Sequence, residues 1–123
     1  MAERQRLTDS AAVETWLAGL RQHWGGDPEH DDPERLEILE AFCAFAERDP
    51  DAIIDECVRV RDGGKTIRAK GRRRYAGLIA KFQSQVEGPR LRRAKWGNTI
   101  RSFLIHNGVL FQSGLQAGEG SRD

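Results

Sequence analysis

The chain has 123 residues, of which 38% are hydrophobic and 32% charged, and its formal net charge is +1. A chain of this length suits a single domain, and no apolar run approaches the roughly 20 residues that span a bilayer, which excludes an integral membrane protein. Two cysteines, Cys43 and Cys57, make a disulfide scaffold or a four-ligand zinc site implausible, so a reducing cytosol is the expected compartment.

A first helix is predicted near the N-terminus. Thr8 or Asp9 can cap it, and apolar residues recur at helical spacing over 13–20. The glycine pair 25–26 ends this helix, and the stretch 27–32 is predicted to be an acidic loop.

Two Asp-Pro dipeptides predict the next two helices. In each, at 32–33 and at 49–50, a capping residue precedes a proline that fits the first helical position. The apolar positions of the third helix run to Val58, and the glycine pair 63–64 breaks the pattern.

The C-terminal half predicts two basic helices. Apolar residues from Tyr75 to Val86 form one side of the fourth, and the fifth runs over about 91–107 before an Asn-Gly stop signal. The Gly/Ser-rich stretch 112–123 is predicted to be a flexible tail or linker. The expected fold is all-α, one small bundle of about five helices over residues 1–111.

The charge is distributed unevenly along the chain. Residues 1–58 sum to −10, whereas residues 59–101 sum to +12. So dense a basic block favours a polyanionic partner, above all nucleic acid. The alternative is that the acidic and basic halves neutralise each other across the fold.

No residue pattern predicts catalysis, a metal site or a cofactor. The three histidines lack metal-ligand spacing, and both cysteines fall on apolar helix faces, where free cysteine behaves as a small hydrophobe. The stretch 63–66 is not a phosphate-binding loop, because Arg59 stands where that motif needs its first glycine.

The basic residues gather where the fourth and fifth helices begin. Helix N-termini with flanking cations suit phosphate oxygens, and polar residues of the first turns can reach base edges. The candidate DNA-binding residues are Lys65, Arg68, Lys70, Arg72, Arg73, Arg92, Arg93, Lys95 and Asn98.

Two segments carry a family resemblance. One reads Leu39-Glu-Ala-Phe-Cys-Ala-Phe-Ala-Glu-Arg-Asp-Pro-Asp-Ala-Ile-Ile54 and continues at 71–79, and the other reads Ala94-Lys-Trp-Gly-Asn-Thr-Ile-Arg-Ser-Phe-Leu-Ile-His-Asn-Gly-Val109. In this order and spacing they resemble the N-terminal core-binding (SAM-like) domain of tyrosine recombinases, the phage-integrase family. The likeness extends over roughly residues 33–111.

The resemblance implies a helical domain that clamps duplex DNA in site-specific recombination or DNA integration. A C-terminal catalytic domain and other recombinase protomers are the protein partners it implies, in the cytoplasm at the nucleoid. The family's catalysis needs a tyrosine nucleophile and a His-x-x-Arg arrangement. No histidine here precedes an arginine by three positions, and the single tyrosine, Tyr75, lies in an apolar helical stripe, so the chain is expected to be non-catalytic.

Two other interpretations remain open. One is a helical protein-interaction module whose acidic and basic faces mediate docking or self-association. The other is a helical domain for single-stranded nucleic acid or RNA, which would stack bases on an exposed Trp96.

Overall fold

Six α-helices and one β-hairpin form the described part of the chain, residues 6–109, in the computed structural model. The sequence predicts an all-α fold of about five helices. The described chain is mostly helical, as expected, but it has six helices, and the hairpin departs from the all-α class. The predicted tail at 112–123 lies outside the described residues. The elements are α1 Ala11–Trp24, α2 Pro28–Asp31, α3 Glu34–Ala46, α4 Pro50–Cys57, β1 Val58–Arg61, β2 Gly64–Ile67, α5 Ala69–Ser84 and α6 Arg90–His106.

Helix α1 is capped by Ser10 rather than by Thr8 or Asp9. The Ser10 hydroxyl accepts a hydrogen bond from the Val13 N–H at 3.1 Å and donates one to the Asp51 carboxylate at 2.8 Å. Thr8 and Asp9 instead lie in a single 3₁₀ turn that precedes the cap. The serine therefore serves both as a local cap and as a link between α1 and α4, which a local sequence pattern does not reveal.

The Asp-Pro signals are confirmed to within one residue. Helix α4 begins at Pro50 with Asp49 before it, and α3 begins directly after Pro33. The predicted acidic loop contains the short helix α2, and its Pro28 is buried. Proline suits these first-turn positions because its missing N–H would have no intrahelical acceptor there.

Helix α4 ends at Cys57, and Val58 begins a strand instead of extending the helix. Strands β1 and β2 are antiparallel, from the pair Val58–Ile67 to the pair Arg61–Gly64. Asp62 and Gly63 form the loop with φ of 41° and 82°. Two positive φ values are typical of a type I′ turn, whose twist matches that of the flanking strands. The glycines interpreted from the sequence only as a helix break thus belong to a hairpin.

Helices α5 and α6 form the C-terminal part of the described chain. Val86 lies beyond the end of α5, whereas α6 matches its predicted span closely. After α6, the Val109 N–H donates to the Leu104 carbonyl at 2.9 Å, and the Val109 side chain is fully buried. This return of the chain onto the helix end gives a second donor to a carbonyl that also accepts from the Asn107 N–H at 3.0 Å.

Aromatic side chains from four helices meet in the core. Trp16 packs edge-to-face on Phe103 at 5.6 Å, and its Nε1–H donates to the Ser102 hydroxyl at 3.1 Å. Phe42 contacts Phe82 at 5.2 Å between ring centroids. The apolar faces predicted for α1, α3, α5 and α6 therefore form one core, which holds the basic helices in place.

The contact between α4 and α5 has no room for a side chain at Gly71. A Cβ at this position would overlap the backbone carbonyl oxygen of Glu56 and would lie 3.3 Å from the Cα of Cys57. Only glycine allows this approach of two backbones. Gly71 thereby places the first turn of α5 directly against the end of α4 and the base of the hairpin.

Candidate nucleic-acid interface

Basic residues from β2 to the second turn of α5 form a surface that we call the α5 basic patch. No side chain caps α5, and its first turn contains no acidic residue. By contrast, the first turns of α1, α3 and α4 all contain acids. The N-terminal end of α5 therefore has cations as its own flanking residues, which suits an anion, and Glu56 of α4 is the acid that lies beside it. The patch consists of Lys65, Arg68, Lys70, Arg72 and Arg73.

Three of the patch cations point to solvent. Lys65, Lys70 and Arg73 are exposed, and within residues 6–109 no side-chain hydrogen bond or ion pair is recorded for any of them. Arg72 is half-buried, because it lies on the same side of α5 as the core residue Tyr75. The fold thus leaves most of the patch charge available to a ligand.

Side-chain contacts at the edge of the patch, beside the end of α4, hold Arg68 and the neighbouring Glu56 in place. The Arg68 guanidinium donates to the Asp55 carbonyl at 3.2 Å, which holds it beside the end of α4. The Glu56 carboxylate accepts from Arg48 Nε at 2.9 Å and lies 3.9 Å from Arg74 Nε. Glu56, which lines the same depression as Arg68 and Lys70, is therefore already paired with cations outside the predicted set, and the patch keeps its positive charge.

The predicted residues of α6, unlike those of the α5 basic patch, include cations that are paired with acidic side chains. We call Arg92, Arg93, Lys95 and Asn98 the α6 cluster. Lys95 Nζ lies 2.7 Å from the Glu34 carboxylate and 3.3 Å from that of Asp32. This contact lowers the pKa of Glu34 and raises that of Lys95, as expected for a formed ion pair.

Arg92 is held by two neighbours. Its guanidinium lies 3.5 Å from the Glu34 carboxylate and 4.9 Å from the ring centroid of Trp96. Arg93 donates to the Gly88 carbonyl at 2.8 Å, which ties the loop before α6 to its first turn. These cations therefore contribute to the fold, and two acidic side chains offset two of their charges.

Asn98 is exposed, and its side-chain oxygen accepts a hydrogen bond from Arg101 at 3.1 Å. It lines a shallow depression together with Lys95, Asp32 and the exposed Trp24. The structure thus brings the nine predicted residues together as two groups, and no hydrogen bond or ion pair among the described residues joins one group to the other.

Trp96 is not the exposed aromatic residue that base stacking on it would require. It is half-buried, with Phe82 at 5.7 Å between ring centroids and the Arg92 guanidinium over its ring. The most exposed aromatic side chain in the described part is Trp24, at 74% of its maximal accessible surface, which packs against His23. Trp24 lies in the acidic half of the sequence, and in the fold it lines the same depression as Lys95 and Asn98.

The side chains that could act as nucleophiles, acids, bases or metal ligands are buried or do not form a cluster among residues 6–109. Burial, aided by the Glu56 carboxylate, raises the pKa of Tyr75, and its side chain has no exposed surface. Burial raises the pKa of Cys57 to about 11, so this thiol stays protonated at neutral pH. Burial also lowers the pKa of His106. Within residues 6–109 no group of three His, Cys, Asp or Glu side chains is placed to hold a metal ion.

Further exposed cations of the basic block lie outside the predicted set. Arg59 on β1 is exposed, and so is Arg90 in the first turn of α6. The sequence does contain a signal for the first of these. Val58 to Arg61 alternates apolar and basic residues ahead of an Asp-Gly dipeptide, which is typical of a hairpin.

Comparisons of this chain with protein-family models, with curated proteins and with solved structures find no match. None of the helices in residues 6–109 has the length and apolar character needed to cross a membrane.

Proposed function

We propose that this chain is a DNA-binding helical domain of the tyrosine-recombinase core-binding (SAM-like) kind. It clamps duplex DNA during site-specific recombination or DNA integration. It contributes no catalytic group, and strand cleavage belongs to a C-terminal catalytic domain with which it works, alone or with other recombinase protomers at the nucleoid.

The α5 basic patch is the observation that supports this proposal. Its exposed cations surround a helix N-terminus that lacks both a side-chain cap and an acidic residue. Such an arrangement binds phosphate oxygens through charge, through backbone N–H groups and through the helix dipole together. Neutralising phosphates releases counterions from the duplex, which drives binding at low salt.

The burial of Tyr75 supports the non-catalytic part of the proposal. A tyrosine nucleophile must present its hydroxyl to the scissile phosphate, whereas the Tyr75 side chain is enclosed between α3, α4 and α5. Its raised pKa also keeps the phenol neutral, which is the less nucleophilic form.

A binding titration with a labelled duplex of about 30 base pairs tests the proposal. If four cations of the α5 basic patch contact phosphates, the plot of log K against log salt has a slope of about −4. If no duplex binding is detected at about 50 mM salt, the proposal is contradicted. A preference for single strands supports the single-strand alternative, and self-association without DNA binding supports the protein-interaction module.

Glu34 provides a second test, because it is paired with both Arg92 and Lys95 and would compete with a phosphate for them. Replacing Glu34→Gln removes this competitor, so we expect duplex binding to tighten about threefold at low salt. Glu40→Gln is the matched control: Glu40 is an exposed residue of the same helix, and the net charge changes equally. If both variants bind alike, the α6 cluster does not face the DNA.

A further inference from the structure

The β1–β2 hairpin projects from the helices as a free ribbon. At its base Val58 is buried and Ile67 half-buried, and the Arg68 N–H donates to the Cys57 carbonyl at 2.7 Å. Beyond this base, residues 59–60 and 62–66 are exposed, and neither outer edge of the ribbon is paired with another strand in the described part of the chain. The core thus anchors one end of the ribbon and leaves the rest to solvent.

The exposed part of the ribbon combines charge with an apolar side chain. Val60 is 70% exposed, although a β-branched side chain in a strand usually packs against a neighbour. Arg59 and Lys65 are exposed, and no acidic partner is recorded for either among residues 6–109. The hairpin carries a net charge of +2 and continues directly into the α5 basic patch, so a polyanion is the ligand that fits it.

The dimensions of the ribbon match one groove of duplex DNA. The three residue pairs beyond the base extend roughly 10 Å at about 3.3 Å per residue, and the two strands lie about 4.8 Å apart. A B-form major groove is about 12 Å wide and 8.5 Å deep and admits a two-stranded ribbon, whereas the minor groove is only about 6 Å wide. A ribbon of this length can therefore reach the floor of the major groove.

The register gives the two faces of the ribbon distinct recognition chemistry. Val60 is paired with Lys65 on one face, and Arg59 is paired with Thr66 on the other. Arginine and lysine donate to the O6 and N7 acceptors of guanine, threonine bonds to several base edges, and an apolar side chain packs on the thymine methyl group. These are groups that can distinguish base pairs, whereas the cations of the α5 basic patch outside the hairpin can hold phosphates of any sequence.

We propose that the β1–β2 hairpin enters the major groove beside the α5 basic patch and reads the base sequence there. This inference rests on the proposed duplex-DNA binding and deepens it. The patch supplies affinity through phosphates, and the hairpin supplies sequence preference through base edges.

Selection from a random-sequence duplex library, with the full chain, tests the role of the hairpin. In one variant the dipeptide Asn-Gly replaces residues 60–65, which keeps the Val58–Ile67 pair and closes a two-residue turn between Arg59 and Thr66. The second variant is Arg59→Ala with Lys65→Ala, which changes only exposed side chains. Thermal unfolding of both variants verifies that the helical core remains folded.

We expect the wild-type chain to enrich a sequence motif, and methylation of guanine N7 within that motif to weaken its binding at least tenfold. Both variants should still bind duplex at low salt but lose the enrichment and the N7 effect. The control Arg6→Ala with Arg21→Ala removes the same charge from exposed positions outside the basic block and should retain both.

The outcomes separate the two proposals. A wild-type chain that does not bind duplex contradicts the proposed function itself. A wild-type chain that binds but enriches no motif, or variants that keep the motif and the N7 effect, overturn the role of the hairpin and leave duplex binding intact.

Discussion

Replacing Gly71→Ala is expected to destabilise the folded chain by about 3 kcal/mol, the upper part of the range for overpacking in a tight contact. The added Cβ would overlap the backbone carbonyl oxygen of Glu56, and neither backbone can rotate away as a flexible side chain could. Helices α4 and α5 must then move apart. For a domain of about this size the melting temperature should fall by more than about 10 °C.

Gly77→Ala is the matched control in the same helix. Gly77 is exposed, and a Cβ built there meets no atom within 4 Å. Alanine is the better helix former, so this variant should gain about 0.5–1 kcal/mol. Thermal unfolding followed by far-UV circular dichroism measures both changes. Equal effects at the two positions would contradict the close α4–α5 contact.

Replacing Lys70→Ala together with Arg73→Ala is expected to weaken duplex binding at least tenfold at low salt. The double substitution should also reduce the slope of log K against log salt by about 2, since each phosphate contact contributes about 1. Both side chains are exposed in the first turns of α5, and no ion pair is recorded for either within residues 6–109. Their loss should therefore leave the fold stable and remove only ligand contacts.

The double variant Arg6→Ala with Arg21→Ala again matches the charge change. Fluorescence anisotropy at four or more salt concentrations gives both the affinity and the slope for each protein. If the control and the Lys70 and Arg73 variant lose equal affinity, binding depends on net charge alone. In that case the α5 basic patch is not the contact surface.

The first turns of α5 connect the fold to the proposed function. Gly71 lies between Lys70 and Arg73 in sequence, and its contact with Glu56 sets where the first turn of α5 stands relative to the hairpin. A change that separates α4 from α5 therefore also displaces the hairpin from the patch. We infer that close packing, rather than flexible side chains, determines how the two cationic elements are presented together.

Local signals in the sequence were sufficient to predict most of the helices. Proline and aspartate at 32–33 and 49–50 mark helix starts because they act within one turn, without tertiary contacts. The hairpin was not predicted, because its local signal is ambiguous. Its strands have only four residues each, and glycines after a helix are also typical of a simple helix end.

The α1 cap shows a similar limit. Thr8, Asp9 and Ser10 are all capping residue types, and local preference does not rank them firmly. The hydrogen bond from Ser10 to Asp51 joins residues that are 41 positions apart in the chain. A contact of that separation is absent from any local pattern.

The charge count located the basic block, but it did not reveal which cations are paired. Lys95 is linked to Glu34 across 61 positions of the sequence, whereas Lys70 has no recorded partner within residues 6–109. The expectation that the two halves neutralise each other is thus met at the α6 cluster and not at the α5 basic patch. Pairing depends on distance in space, which composition does not contain.

The sequence by itself determined the helical class, the proline-marked helix starts, the apolar faces and the division into an acidic and a basic half. Each of these depends on residues within a few positions of one another. Only the tertiary structure decided which cations stay unpaired, why Gly71 must be glycine and where the hairpin projects. These features arise where distant segments approach within a few ångströms, because excluded volume and ion pairing act between atoms that folding alone brings together.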